Sequence, residues 1–201
     1  MGTKEEIKEN RIHKISVFGL GAIGSNLLVQ LVKQYPEIEY TGIDYDKIEE
    51  RNIGPQAYFA GMVGQPKCMA IRAVMSQYVR KFGYKPFNKK VTEALRPPEV
   101  NELFLDCFDN SESRKLITPK GDHNTLHIGF SPEFSSEIIW NKNYQDVPGD
   151  VSDEKDICEL AGATPFIHYA VNLAAMVISE FIETGKKSEF LIINKYMVKS
   201  L

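Results

Sequence analysis

Val17-Phe18-Gly19-Leu20-Gly21-Ala22-Ile23-Gly24-Ser25-Asn26 decides how the rest of the chain is read. Ile15 to Phe18 reads as the end of a β-strand. Beyond the glycines, Leu27, Leu28, Leu31 and Val32 recur at the three- and four-residue spacing of one helix face. Strand, Gly-x-Gly-x-x-Gly and helix, in that order, give each glycine its own task. Gly19 permits a tight turn, Gly21 lets backbone approach a phosphate, and Gly24 lets the helix pack close to the strand. The helix opens at Ala22 and Ile23 with N–H groups that have no partner within the helix, and with partial positive charge for an anion. A second strand, Glu37 to Ile43, ends in Asp44, 20 residues past Gly24, where a carboxylate suits a ribose hydroxyl. The pattern predicts a nucleotide-type ligand above the carboxyl ends of a parallel sheet. A tight βαβ turn that binds nothing is the alternative.

The totals narrow the class. A chain of 201 residues suits one α/β domain with a small appendage. With 43% hydrophobic and 25% charged residues, the composition is that of an ordinary soluble globular protein. Twenty-seven acids against 24 Lys and Arg leave a net charge of −3, which argues against a nucleic-acid binder. Met1 to Lys14 is polar and charged, unlike a secretory leader. The apolar run Phe166 to Ile182 is interrupted by His168, Asn172, Ser179 and Glu180, so a buried helix is expected there and no membrane span. Cys68, Cys107 and Cys158 form no Cys-x-x-Cys pair, so a structural zinc site is not expected and the reducing cytoplasm is.

Working outward, Tyr35-Pro36 ends the first helix, because proline lacks an N–H and clashes with the preceding turn. Asp44 to Gln56 is polar, with little apolar periodicity, and reads either as a loop lying over the ligand or, on these residues alone, as an ordinary surface connection. Lys67 opens a helix expected to run to about Phe82, with Ala70, Ile71, Val74, Met75 and Tyr78 as its apolar stripe. A lysine in a first turn opposes the helix dipole, an objection that an anionic partner removes, and a solvated surface lysine is the alternative. Pro86 to Val91 reads as a third strand. Leu103-Phe104-Leu105-Asp106-Cys107-Phe108-Asp109-Asn110 is an apolar strand ending in carboxylates, followed by a helix opening at Ser111. Asp109 should therefore face the crevice shared by Gly21 and Asp44, where a carboxylate can hold Mg²⁺. Asp109 or Ser111 could equally cap the helix. Thr125 to Phe130 and Phe134 to Asn141 read as strands, 146–156 as an acidic loop, Thr164 to Glu183 as a long helix stopped by Gly185, and Phe190 to Val198 as one last strand. His123, His127 and His168 lack metal-ligand spacing and read as structural or surface residues.

Together these residues resemble the ThiF/MoeB/HesA family, the bacterial relatives of ubiquitin-activating enzymes. The family's glycine loop is matched by Gly19, Gly21 and Gly24, and its Asp-x-Asp-x-Val/Ile by Asp44-Tyr45-Asp46-Lys47-Ile48. Asn-x-x-Arg-Gln appears as Asn52-Ile53-Gly54-Pro55-Gln56, with proline where the family has arginine. Gly64-Gln65-Pro66-Lys67 matches Gly-x-Pro-Lys, and Asp106 to Arg114 matches Asp-Cys-x-Asp-Asn-x-x-x-Arg. Cys158 to Gly162 matches Cys-x-x-x-Gly.

The resemblance implies a single domain over 1–201. The implied fold is a Rossmann-like, mainly parallel twisted sheet flanked by helices, with antiparallel strands at its C-terminal side. It implies an ATP- and Mg²⁺-dependent adenylyltransferase that activates the C-terminal carboxylate of a ubiquitin-like or sulfur-carrier protein ending in Gly-Gly, and a homodimer. Gly19, Gly21, Ala22, Ile23 and Gly24 would cradle phosphate, Asp44 would hold the ribose, Asn52 and Lys67 would contact phosphates, and Asp109 would hold Mg²⁺. Asp46, Gln56 and Asn110 complete the set expected at the nucleotide. Arg51 is the neighbouring cation that could stand in for the absent arginine, and Cys158 occupies the place of the family's reactive cysteine. Two other readings stay open. One is a degenerate member that binds without catalysis, which Pro55 supports. The other is a nicotinamide-dependent oxidoreductase, in which Lys67 and the Asp109-Asn110 pair would have no obvious task.

Overall fold

In the computed structural model, residues 11–117, 122–131, 133–144, 160, 162–193 and 197–200 are described. Strands β1 (Lys14–Phe18) and β4 (Glu102–Asp106) lie side by side near the middle of the sheet. Their composition demands that position, since Ile15, Val17, Leu103 and Leu105 are all fully buried. β2 (Glu39–Ile43) and β3 (Gly83–Phe87) extend the sheet on one side. β5 (Thr125–Ser131), β6 (Ser135–Trp140), β7 (Phe190–Ile193) and β8 (Met197–Ser200) extend it on the other. The order is β3-β2-β1-β4-β5-β6-β7-β8, eight strands among the described residues. Pairing is parallel from β3 through β5 and antiparallel from β5 through β8, as the resemblance implies. The chain leaves β1 toward β2 and β3, then returns across β1 to start β4, so the winding reverses between β1 and β4. In open α/β sheets a crevice opens at that reversal.

Helix α1 (Ala22–Gln34) presents Leu27, Leu28, Leu31 and Val32, each at 0% exposure, to the main core. Helix α4 (Ala163–Thr184) packs beside it through Ile167, Val171, Ala174 and Ile178, residues at helical spacing. Its 22 residues are long and apolar enough to span a membrane, yet this inner face is committed to the core. Gly185 ends the helix at φ 75°, as expected for a C-terminal glycine. The opposite face of the sheet carries a smaller cluster of Phe18, Phe104 and Ile117, covered by α3 (Ser111–Ile117).

Three element boundaries differ from the sequence reading. Helix α2 (Lys67–Ser76) stops short of Phe82, and Tyr78 is 55% exposed rather than part of the stripe. The amide of Gln77 bonds back to Val74 and that of Tyr78 to Met75, a tightening that ends the helix before the chain enters β3. The third strand is Gly83–Phe87, not 86–91. It lies at the sheet edge and, among the described residues, pairs only with β2, so Pro86 and its missing N–H are tolerated. Phe190 to Val198 is not one strand but parts of two antiparallel strands, β7 and β8. Antiparallel neighbours need only a short turn, which apolar periodicity does not reveal.

Candidate functional site

The glycine loop and the segment after β4 meet because Phe18 and Asp106 are in register. The Cys107 amide continues the ladder onto the Phe18 carbonyl at 2.9 Å. Gly19 takes φ 85°, and a Cβ there would stand 2.8 Å from the Cys107 carbonyl oxygen. A Cβ on Gly24 would stand 1.9 Å from the Gly19 carbonyl oxygen. Gly21 differs, because a Cβ there would meet nothing within 4 Å. The chain's own packing thus accounts for two of the three glycines and leaves the middle one facing open space. Gly21 also stands at the N-cap of α1, where no side chain caps the helix. Ala22, Ile23 and Gly24 form the first turn behind it.

Asp44 ends β2 and is buried. Its Oδ2 accepts the Leu20 amide at 2.7 Å and its Oδ1 the Asp46 amide at 2.7 Å. Burial raises its carboxyl above the ordinary range, against the two amide bonds and Lys67, which act to lower it. Asp44 therefore ties the glycine loop to β2, and a ribose hydroxyl would share oxygens that already accept amides. Lys67 is not a solvated surface lysine. Its side chain is 9% exposed, and its Nζ lies 3.4 Å from Asp46 Oδ2, on a carboxylate that is 51% exposed. A buried ammonium with one loose partner is a natural counter-charge for an anion entering from the Asp46 side.

Asp44 to Gln56 is more ordered than its polarity suggests. Ile48 is 1% exposed, Lys47 bridges to Pro66, and Glu50–Asn52 forms a 3₁₀ turn. Asn52 Oδ1 accepts the Glu49 amide at 2.9 Å, so part of its carboxamide serves the turn. Gln56 is buried beside it. Arg51 is half-exposed and donates to Glu49 Oε2 at 2.8 Å. The Pro55 carbonyl accepts Asn26 Nδ2 at 2.8 Å, fastening this segment to α1.

Asp109 stands exposed at the end of β4 and accepts Asn110 Nδ2 at 3.1 Å. The cap of α3 is neither Asp109 nor Ser111. Asn110 Oδ1 accepts the Ser113 amide at 2.8 Å and does that work, which leaves Asp109 for other use. Among the described residues no group of three or more His, Cys, Asp or Glu could cage a metal. One exposed carboxylate beyond the carboxyl end of β4 nevertheless fits Mg²⁺, which commonly takes one or two carboxylates, waters and substrate phosphates. Cys158 lies outside the described residues, as does the acidic loop before it.

Several neighbours went unread in the sequence. Tyr58, 3% exposed, donates its hydroxyl to the Leu20 carbonyl at 2.9 Å. Ser25 Oγ donates to the Gly21 carbonyl and accepts the Ala57 amide. An apolar recess of ≈ 270 Å³ opens at the carboxyl ends of β1, β2 and β3, floored by Phe18, Ile43 and Phe87 and rimmed by Lys89 to Thr92. Phe18 pairs with Ile43 and Ile43 with Phe87, so the three side chains share one sheet face. Apolar residues ending three successive strands were the available signal.

The fold recurs in known structures. E. coli MccB with MccA-N7isoASN superposes with a TM-score of 0.70 at 17% identity, covering 97% of this chain and 66% of that one. E. coli MccB with ATP gives a TM-score of 0.70 at 14% identity, covering 97% and 65%. PaaA gives 0.70 at 15% identity, covering 98% and 75%. This chain thus spans just under two thirds of the MccB chains it matches. No curated protein matches it by sequence. The ThiF family profile matches residues 3–124, more than half of the sequence and the part that holds the glycine loop, Asp44, Lys67 and Asp109. On that match and this fold, the chain belongs to the ThiF family.

Proposed function

We propose that this chain binds ATP with Mg²⁺ and adenylates the C-terminal carboxylate of a partner polypeptide. Gly21 carries the reading, since it is the glycine that no internal contact requires, and it stands at an uncapped helix N-terminus. The apolar recess at the carboxyl ends of β1, β2 and β3 would suit a flat base, with the phosphates toward Gly21 and Lys67. Phosphoryl-type transfer is largely positioning and charge stabilisation. Lys67 brings one full positive charge, the α1 amides bring dipoles, and Mg²⁺ held by Asp109 supplies the rest when bound. The partner's carboxylate would attack the α-phosphate, forming an acyl-adenylate and releasing pyrophosphate. MccB, which shares the fold, has been crystallised with ATP and with MccA, which supports a nucleotide and a polypeptide as the two substrates. A ubiquitin-like or sulfur-carrier protein ending in Gly-Gly is the partner we favour, acting with a homodimer of this chain.

A second reading rests on Pro55 and Arg51. Proline stands where the family has arginine, and the nearest candidate, Arg51, is engaged with Glu49. In that reading nucleotide binds without turnover. Calorimetry with ATP·Mg²⁺ and NAD in parallel, followed by pyrophosphate exchange with candidate Gly-Gly proteins, separates the cases. Tighter binding of NAD would overturn both readings. ATP binding without exchange would favour the second.

A further inference from the structure

Asp106, the last residue of β4, and His127 in β5 are in register across the parallel pair, and both are sealed from solvent at 0% and 1% exposure. Neither has a task in the reading above. His127 stands between two carboxylates, with Nδ1 3.2 Å from Asp106 Oδ2 and Nε2 3.0 Å from Glu137 Oε1. Glu137 also accepts Lys142 Nζ and, at 3.4 Å, the Tyr144 hydroxyl. Burial pushes the Glu137 carboxyl up, but the bonds from His127 and Lys142 outweigh it and hold the group at about 2, so it stays an anion. Gly129 makes room for the imidazole, since a Cβ there would stand 2.7 Å from His127 Nε2.

The contacts close on themselves. Asp106 Oδ1 accepts the Phe108 amide at 3.2 Å. The Phe108 carbonyl accepts Arg114 through Nε at 2.9 Å and through a second guanidinium nitrogen. The Arg114 guanidinium lies 5.2 Å from the centre of the Tyr144 ring. That ring meets His127 edge-on, centroids 4.8 Å apart, and His127 returns to Asp106. Phe108 is thus gripped at both its N–H and its C=O, and Asp109 is the next residue. Phe108 also packs its ring on Phe18, beside the glycine loop.

We propose that His127 is a positioning residue that closes this ring of buried contacts and so sets where Asp109 stands relative to Gly21 and Lys67. Without His127, the Asp106 carboxyl would lose the side chain it faces in a dry environment, where an unpartnered polar group is costly, and Glu137 would be left with Lys142 and Tyr144. Asp106 would then shift to find another donor and release the Phe108 amide. The significance for catalysis rests on the Mg²⁺·ATP reading, whereas the hold on the loop does not.

Two readouts keep these apart. The first is hydrogen exchange of individual amides in nucleotide-free protein, comparing wild type with His127→Phe, His127→Gln and Gly129→Ala. The Phe108 amide should lose protection and exchange faster in His127→Phe and Gly129→Ala, because the carboxyl that accepts it has lost or displaced its partner. The neighbouring Cys107 amide, bonded to the Phe18 carbonyl, should stay as in wild type, and His127→Gln should fall between. Phe108 exchange unchanged in these variants, or raised equally at Cys107 and through β1 and β2, would overturn the proposal. Should His127→Phe not fold, Gly129→Ala and His127→Gln make the same comparison. The second readout is the Mg²⁺ concentration that half-saturates ATP binding, expected to rise about tenfold in the variants while binding in excess chelator stays unchanged. If wild type binds ATP·Mg²⁺ and this concentration does not move, the positioning role fails. If wild type binds no ATP at all, the nucleotide reading fails, and the exchange data alone decide whether His127 holds the loop.

Discussion

Gly24 cannot carry a side chain without displacing backbone, because its Cβ would overlap the Gly19 carbonyl oxygen at 1.9 Å. Gly21 can carry one as far as the protein's own atoms are concerned. We therefore expect Gly24→Ala to lose at least the ~1–3 kcal/mol typical of overpacking. Gly21→Ala should cost no more than about 1 kcal/mol, the scale of an altered N-cap. The order should invert for ligand, with Gly21→Ala weakening ATP·Mg²⁺ while remaining folded. Denaturant titration beside calorimetry reads both, and a Gly21→Ala protein that binds like wild type would remove the main support for the proposed function. The two charged residues make a similar pair. Asp109 is exposed, so Asp109→Ala should change stability by less than ~0.5 kcal/mol yet abolish the dependence of nucleotide binding on Mg²⁺. Lys67→Met keeps the buried stem and should weaken ATP binding by about 1–3 kcal/mol, the worth of a hydrogen bond to a charged group. Equal ATP affinity in Lys67→Met and wild type would place the phosphates elsewhere. The glycine spacing was legible because the tight turn at Gly19 and the close approach of Gly24 to the Gly19 carbonyl act within a few residues. Burial of Lys67 was not, since it depends on Asp46 and the bridge from Lys47 to Pro66.

Among the elements, β4 has the most to support, since the Asp109 loop hangs from its end. Its first residue, Glu102, is buried and held by Arg96 Nη1 at 2.7 Å and by Lys14. The Arg96 bond is the largest influence on its carboxyl, and despite burial the group drops from an ordinary 4.5 to about 2. A depressed carboxyl contributes stability that is fully present above its unfolded value and is lost as pH falls through its folded one. Glu102 and the likewise depressed Glu137 should therefore make the fold lose stability from about pH 4.5 down to about 2. Denaturant midpoints measured between pH 6 and pH 2.5 should fall along that slope. Glu102→Gln should start lower at pH 6 and fall less, and an equal slope in the variant would show that Glu102 is not the group responsible. Element identity was legible from periodicity in β1, α1, β4 and α4, all of which bury a continuous face. Ends were less so. The stop of α2 at Ser76 and the edge position of β3 follow from the path the chain takes to pair with β2, which no local pattern encodes.

For the whole molecule, the outer side of α4 exposes Tyr169 at 45% and Met176 at 68%. We expect the chain to sediment as a dimer at micromolar concentration, with Met176→Glu shifting it toward monomer because a charge would be buried at an apolar contact. A wild-type monomer under those conditions would count against the homodimer.

At this scale the division between sequence and structure is physical. The amino-acid sequence by itself determined most of the strands and helices and the glycine loop, because these express apolar periodicity or steric need within some ten residues, while the parallel-then-antiparallel sheet was implied by the resemblance to the family. Only the tertiary structure decided which distant residues meet. It set Gly19 against Cys107 and raised the apolar recess on the ends of β1, β2 and β3. It also placed His127, read from sequence as a structural or surface residue, between the carboxyls of Asp106 and Glu137. Those outcomes depend on register between strands far apart in the chain. Register is set by the burial of whole faces, which no short stretch of sequence contains.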